Sequence, residues 1–97
     1  MKPVPFLPAA PEEFLAAALH YDSAAPGLGH DFIAAVEQAV ARIAAFPEHG
    51  SPHLMGTRRV VLRRFPFSLV YFLEPNDVLV VAVAHHSRRP GYWRDRV

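Results

Sequence analysis

The hydrophobic period of this chain changes once, between Phe46 and Arg58, and that change restricts the fold more than any other feature. Before it, Leu28, Phe32, Val36, Ala39, Ile43 and Phe46 step by 4, 4, 3, 4 and 3 residues. That is one face of a long helix, with Glu37, Gln38 and Arg42 off it. Pro47 closes it, because a proline pushes the residue before it out of the helical region. After "PEHGSPHLMG" come "RRVVLRR" (58–64), "FSLVYFL" (67–73) and "VLVVAVAHH" (78–86), rich in Val, Leu, Phe and Tyr. Phe65-Pro66 and Glu74-Pro75-Asn76-Asp77 separate them. Three such strands in succession predict an antiparallel meander, with the second, apolar on both faces, at its centre.

The first half adds a second helix. Pro11 is placed to open it where its missing N–H costs nothing, with Glu12 and Glu13 in the first turn. Phe14, Ala17, Ala18 and Tyr21 follow at helical spacing until "SAAPGLG" (23–29) breaks the pattern. Two helices joined by so short a loop form a hairpin. Val4 to Leu7 is expected as a short edge strand, since Pro3 and Pro5 withhold two N–H groups on one side. The expected architecture is α+β, one domain over residues 1–97. A hairpin covers one face of a sheet, which leaves the other to solvent, a ligand or a partner.

Composition narrows the function classes. Without cysteine there is no disulfide framework and no thiolate metal site. "MKPVPFLPAA" lacks the apolar core of a signal peptide, and the longest apolar run, Val78 to Ala84, is too short to cross a bilayer. A cytoplasmic protein without membrane contact is expected. Charge is divided unevenly. Residues 1–57 carry two basic and six acidic side chains, a net −4, and residues 58–97 carry eight arginines and three acids, a net +5. The Arg-rich half is suited to an anionic surface, or else the two halves neutralise each other across the fold.

Three groups of residues are candidates for chemistry. Arg58, Arg59, Arg63 and Arg64 bracket the first meander strand, and Arg88 and Arg89 leave the third, so Arg63 and Arg64 should share a sheet end with the latter pair. Guanidinium groups favour planar, bidentate recognition of phosphate or carboxylate; the alternatives are edge protection and ion pairs to the hairpin. His85 and His86, adjacent on a strand, point to opposite faces and cannot share one task. Either could carry a proton or simply hydrogen-bond at the strand end. Tyr92 and Trp93 could stack on a partner or fold back as a terminal helix begun by Pro90; for Trp93 the core is the expected place. His20, His30, His49 and His53 show no ligand spacing, so neither a metal nor another cofactor is expected. No Glu or Asp is placed by the sequence at the basic end of the sheet, and there is no Gly-rich phosphate loop.

The order of these pieces resembles the RelE/ParE superfamily of bacterial type II toxins over about residues 10 to 93. The resemblance rests on Pro47 with Gly50, on Arg63, Phe65, Pro66 and Phe67 with Tyr71, and on the ending His85-x-Ser87-Arg88-x-Pro90-x-x-Trp93. It implies a β-α-α-β-β-β fold and a cognate antitoxin whose acidic, amphipathic C-terminal segment wraps the toxin. Arg58, Arg59, Arg63, Arg64, Arg88, Arg89 and Trp93 are the residues expected to meet partners. Two activities occur in the superfamily. RelE-like members cut mRNA on the ribosome, which would make Arg63, Arg88, His85 and Tyr92 catalytic; ParE-like members bind DNA gyrase. A member reduced to antitoxin binding is the third possibility. The basic cluster that RelE-like enzymes carry before and within the first meander strand is represented here only by Arg58 and Arg59, without lysine. The terminal H-x-S-R-x-P-x-x-W is more similar to the ParE-like branch. Arg89 stands where many relatives carry an acidic or polar residue, a departure that bears on antitoxin pairing.

Overall fold

Side chains of two spacings build two layers in the computed structural model, which describes residues 4–97. Helix α1 (Ala9–Ala24) and helix α2 (Leu28–Ala45) form the expected hairpin. The sheet has the order β1 (Ser51–Pro52), β2 (Arg58–Val61), β3 (Phe67–Leu73) and β4 (Val78–His85), every pair antiparallel. The α+β fold is the one expected, with β1 as an addition that lies in the long loop. Among the described residues no helix is long and apolar enough to cross a membrane.

Helix α1 begins two residues before Pro11, which is accommodated in the first turn because those N–H groups have no intrahelical acceptor. Asp22, near its end, accepts the Gly27 and Gly29 N–H groups (3.0 and 3.3 Å) through Oδ1, so one helix caps the next. Asp22→Ala is expected to lower stability by about 1 kcal/mol, as for other lost N-terminal caps; urea unfolding measures it. In α2 the periodic stripe holds through Ile43. Phe46 departs from it: it leaves the helix at φ −135° before Pro47 and is 69% exposed.

Phe32 of α2 lies against Phe65 and Phe67, and Tyr21 against Phe65, at ring-centroid distances of 5.2, 5.0 and 4.9 Å. Between helices and sheet these rings join Leu69, Tyr71, Val78, Val80 and Val83 in one core. A bulge at Val81 makes that set possible. Val70 faces Ala82 while Tyr71 faces Val80, so Val81 has no opposite residue and the alternation of β4 shifts by one. Val78 and Val80 therefore share a face with Val83, and Val81 with Ala82.

The first meander strand is shorter than its sequence suggests. β2 ends at Val61; Leu62 still donates its N–H to Phe67 O (2.9 Å), but residues 63–66 form the turn, with Arg64 at φ 71°. The N-terminal edge strand is reduced to one parallel bridge, Phe6 with Val80, in which Pro5 O accepts the Val80 N–H at 2.8 Å. Pro3 lies outside the described residues. At the other end the chain folds back across the second sheet face and buries Trp93 against Val70, Val81 and Ala82. The terminal helix is a short 3-10 turn, Arg94–Arg96, that follows Trp93 instead of starting at Pro90.

Candidate functional site

Where the C-terminal segment crosses the sheet it leaves a groove of about 270 Å³ against β2, β3 and the end of β4. Alternation places Arg59 and Val61 of β2 and Ser68 and Val70 of β3 on this face. Arg88 and Arg89 enter from the returning segment, and His53, His85 and His86 border the groove. Among the described residues no carboxylate lines it. Ser68 and His86 are joined through Oγ and Nε2 at 2.8 Å. Burial and the Arg59 charge lower the His53 pKa, which favours its neutral ring.

The six arginines named from sequence do not converge. Arg58 points away and donates to Gly50 O (2.7 Å) and Glu48 O (3.2 Å), holding the chain that follows α2. Arg63 and Arg64 do share the sheet end with Arg88 and Arg89, as the His86 N–H to Pro66 O bond (2.8 Å) requires. They face another surface, however: both border a hollow beside Asp31 and Gln38 of α2, and Arg64 makes an exposed 3.5 Å ion pair with Asp31. The turn at residues 63–66 carries them off the strand whose alternation governs Arg59, although Arg63 also borders a second hollow with Arg59 and Arg42.

The two histidines diverge as their adjacency demands. His85 sets its ring on the edge of Phe67 (4.9 Å) and accepts the Ser87 N–H at Nδ1 (2.9 Å), which orders the strand end. His86 turns to Ser68 on the opposite face. Trp93 is 1% exposed and offers no free surface to a partner. Tyr92 lies half-buried between two cations, with the Arg88 guanidinium 3.9 Å and the Arg96 guanidinium 5.2 Å from its ring centroid.

Glu13 is the residue that sequence reasoning passed over, and it supplies the carboxylate thought missing from this end of the sheet. From α1 it accepts the Tyr92 hydroxyl proton (2.5 Å), the Val83 N–H (3.1 Å) and both terminal nitrogens of Arg96 (2.8 and 2.9 Å). Its signal was present: Glu13 stands three residues after Ala10 and four before Ala17, a charge within the apolar stripe of α1. Burial opposes its ionisation, but the hydrogen bonds from Arg96, Tyr92 and Val83 and the Arg96 charge outweigh that and lower its pKa. Burial and the hydrogen bond to Glu13 push the Tyr92 phenol far above its usual value.

A carboxylate with a depressed folded-state pKa stabilises the fold above its unfolded pKa and loses that contribution as pH falls through the folded value. The stability advantage of the wild type over Glu13→Gln is therefore expected to be full at neutral pH. It should shrink below about pH 4.5, the ordinary glutamate value. Urea midpoints at pH 7 and pH 3 measure it, and an advantage that grows on acidification would contradict the assignment.

Comparison with known proteins follows the same outline. The family model described as ParE toxin of type II toxin-antitoxin system, parDE, matches residues 4–90. Among curated proteins no sequence matches. Among solved structures the chain is similar in fold to one described as the chromosomal ParDE TA system from P. aeruginosa. The TM-score is 0.76 at 17% identity, covering 88% of this chain and 96% of that one.

Proposed function

The chain belongs to the ParE toxin family of type II toxin–antitoxin systems, and from that premise we propose that it arrests growth by binding DNA gyrase through the Arg59–Arg88–Arg89 groove. Its action is then cytoplasmic, and a cognate antitoxin neutralises it by covering the same face. The observation that carries this reading is the groove itself, which among the described residues gathers three guanidinium groups and no carboxylate on an otherwise nearly neutral protein. Such a surface is suited to an anionic partner. Exposed Val61 among these charges fits an antitoxin segment that is both acidic and amphipathic.

Side-chain commitments favour binding over RNA cleavage. A general acid or base must be within reach of substrate and able to change protonation near neutral pH. The Tyr92 hydroxyl is engaged by Glu13 with a raised pKa. Arg63, another member of a RelE-like set, borders a different surface from Arg88.

The test is gyrase supercoiling with purified protein, run beside a translating extract in which mRNA integrity is followed. Inhibited supercoiling with intact mRNA is expected. Charge reversal, Arg59→Glu or Arg88→Glu, should then weaken inhibition roughly thirtyfold or more, the cost of about 2 kcal/mol or above for a lost interfacial charge pair. Cut mRNA with unaffected supercoiling would overturn the proposal in favour of the RelE-like activity.

A further inference from the structure

We infer that Glu13 is a positioning residue for Arg88: from helix α1 it grips the returning C-terminal segment so that the Tyr92 ring presents the Arg88 guanidinium at the groove. The part assigned to Arg88 rests on the proposed function; the grip itself stands on geometry alone.

Both oxygens of the carboxylate are doubly occupied. Oε1 takes the Val83 N–H and one Arg96 nitrogen, while Oε2 takes the Tyr92 hydroxyl and the other Arg96 nitrogen. The first Arg96 nitrogen also donates to Val81 O (3.1 Å). One side chain thus ties α1 to the bulged part of β4 and to the segment beyond it. Tyr92 is fixed at its hydroxyl, and its ring is the platform on which Arg88 lies. Among the described residues Arg88 has no ion-pair partner and no hydrogen bond from its guanidinium, so the ring is what restrains it. An exposed arginine loses rotamer freedom when it binds; one already laid on an aromatic face has less to lose.

Glutamine cannot take over this task. Whichever way its amide is turned, the NH₂ group faces an Arg96 nitrogen and the charge that paired with Arg96 is gone; turned toward Val83 it meets a second donor, and turned toward Tyr92 it must donate to the hydroxyl, reversing that bond. Tyr92→Phe is the complementary change. It keeps the ring and the Glu13–Arg96 pair, hence the fold, and removes only the link between carboxylate and ring.

The experiment records the Arg88 side-chain proton resonances by NMR in the wild type, Glu13→Gln and Tyr92→Phe, under conditions where each gives a native amide spectrum. Gyrase inhibition is measured on the same samples. In the wild type the Tyr92 ring current should hold these protons upfield of an ordinary arginine, and both variants should move them back toward it. Inhibition should weaken roughly three- to tenfold, the effect of losing one pre-ordered side chain. An Arg88 signature unchanged in either folded variant would overturn the inference and leave Glu13 a structural staple. So would a lost signature with unchanged inhibition. If the wild-type protein does not inhibit gyrase, the proposed function fails separately, and the NMR signature alone decides for or against the grip of Glu13 on Arg88.

Discussion

Trp93→Ala is expected to lower the unfolding free energy by about 3–5 kcal/mol, the range for truncating a fully buried large aromatic. Trp93 is among the largest fully buried side chains and is packed with Val70, Val81 and Ala82 on the sheet face that the helices do not reach. Those neighbours belong to the paired strands β3 and β4 and cannot close over the hole without distorting the ladder between them. For a domain of this size the loss is a large share of a total stability of about 5–15 kcal/mol. The groove should suffer with it, because the returning segment that carries Arg88, Arg89 and Tyr92 is held to the sheet at this point. Urea unfolding of the purified variant gives the number. A loss below about 1 kcal/mol would mean that the segment is dispensable to the core.

Gly50→Ala should be nearly as damaging, for a reason that no burial figure conveys. A Cβ on Gly50 would stand 2.6 Å from the Tyr71 hydroxyl oxygen and 2.9 Å from its ring. Tyr71 cannot retreat. It has no exposed surface, and its hydroxyl donates to Pro47 O (2.6 Å) while accepting the Gly50 N–H (3.0 Å). The loop is pinned as well, by the Arg58 bond to Gly50 O. Relief must break one of these contacts, and a cost of about 2–4 kcal/mol follows from overpacking plus stranded polar groups. Tyr71→Phe alone should cost about 1–3 kcal/mol by leaving the loop groups without their partner. In the double variant the hydroxyl that meets the new methyl is gone, so the losses should add to less than their sum. Strict additivity would refute the collision.

This pair also gives physical content to part of the pattern on which the family resemblance was based. Pro47, Gly50 and Tyr71 lie apart in sequence but form one junction, where the chain leaving α2 is tied to the central strand. Spacing could not reveal that junction, since its contacts span 21 and 24 residues.

Local periodicity was enough to read the helix hairpin, the meander and the identity of the central strand, because each depends on which residues alternate within a few positions. Phe46 and the end of β2 were misread where a proline or a turn overrode that periodicity. Adjacency alone sent His85 and His86 to opposite faces.

The site required more. Arg59 entered the groove while Arg58, its neighbour, was drawn to the loop, and Arg63 and Arg64 were carried to the helical side by the turn. A charge in the stripe of α1 marked Glu13 as unusual, but nothing local to it named Tyr92 and Arg96, 79 and 83 residues away. The sequence by itself determined the elements and their order, because backbone conformation and the burial of one face are dictated by near neighbours. Only the tertiary structure decided which cations meet in the groove and what holds them there. Side-chain convergence depends on a bulge, a turn and a returning chain end, whose positions are set by the packing of the whole molecule.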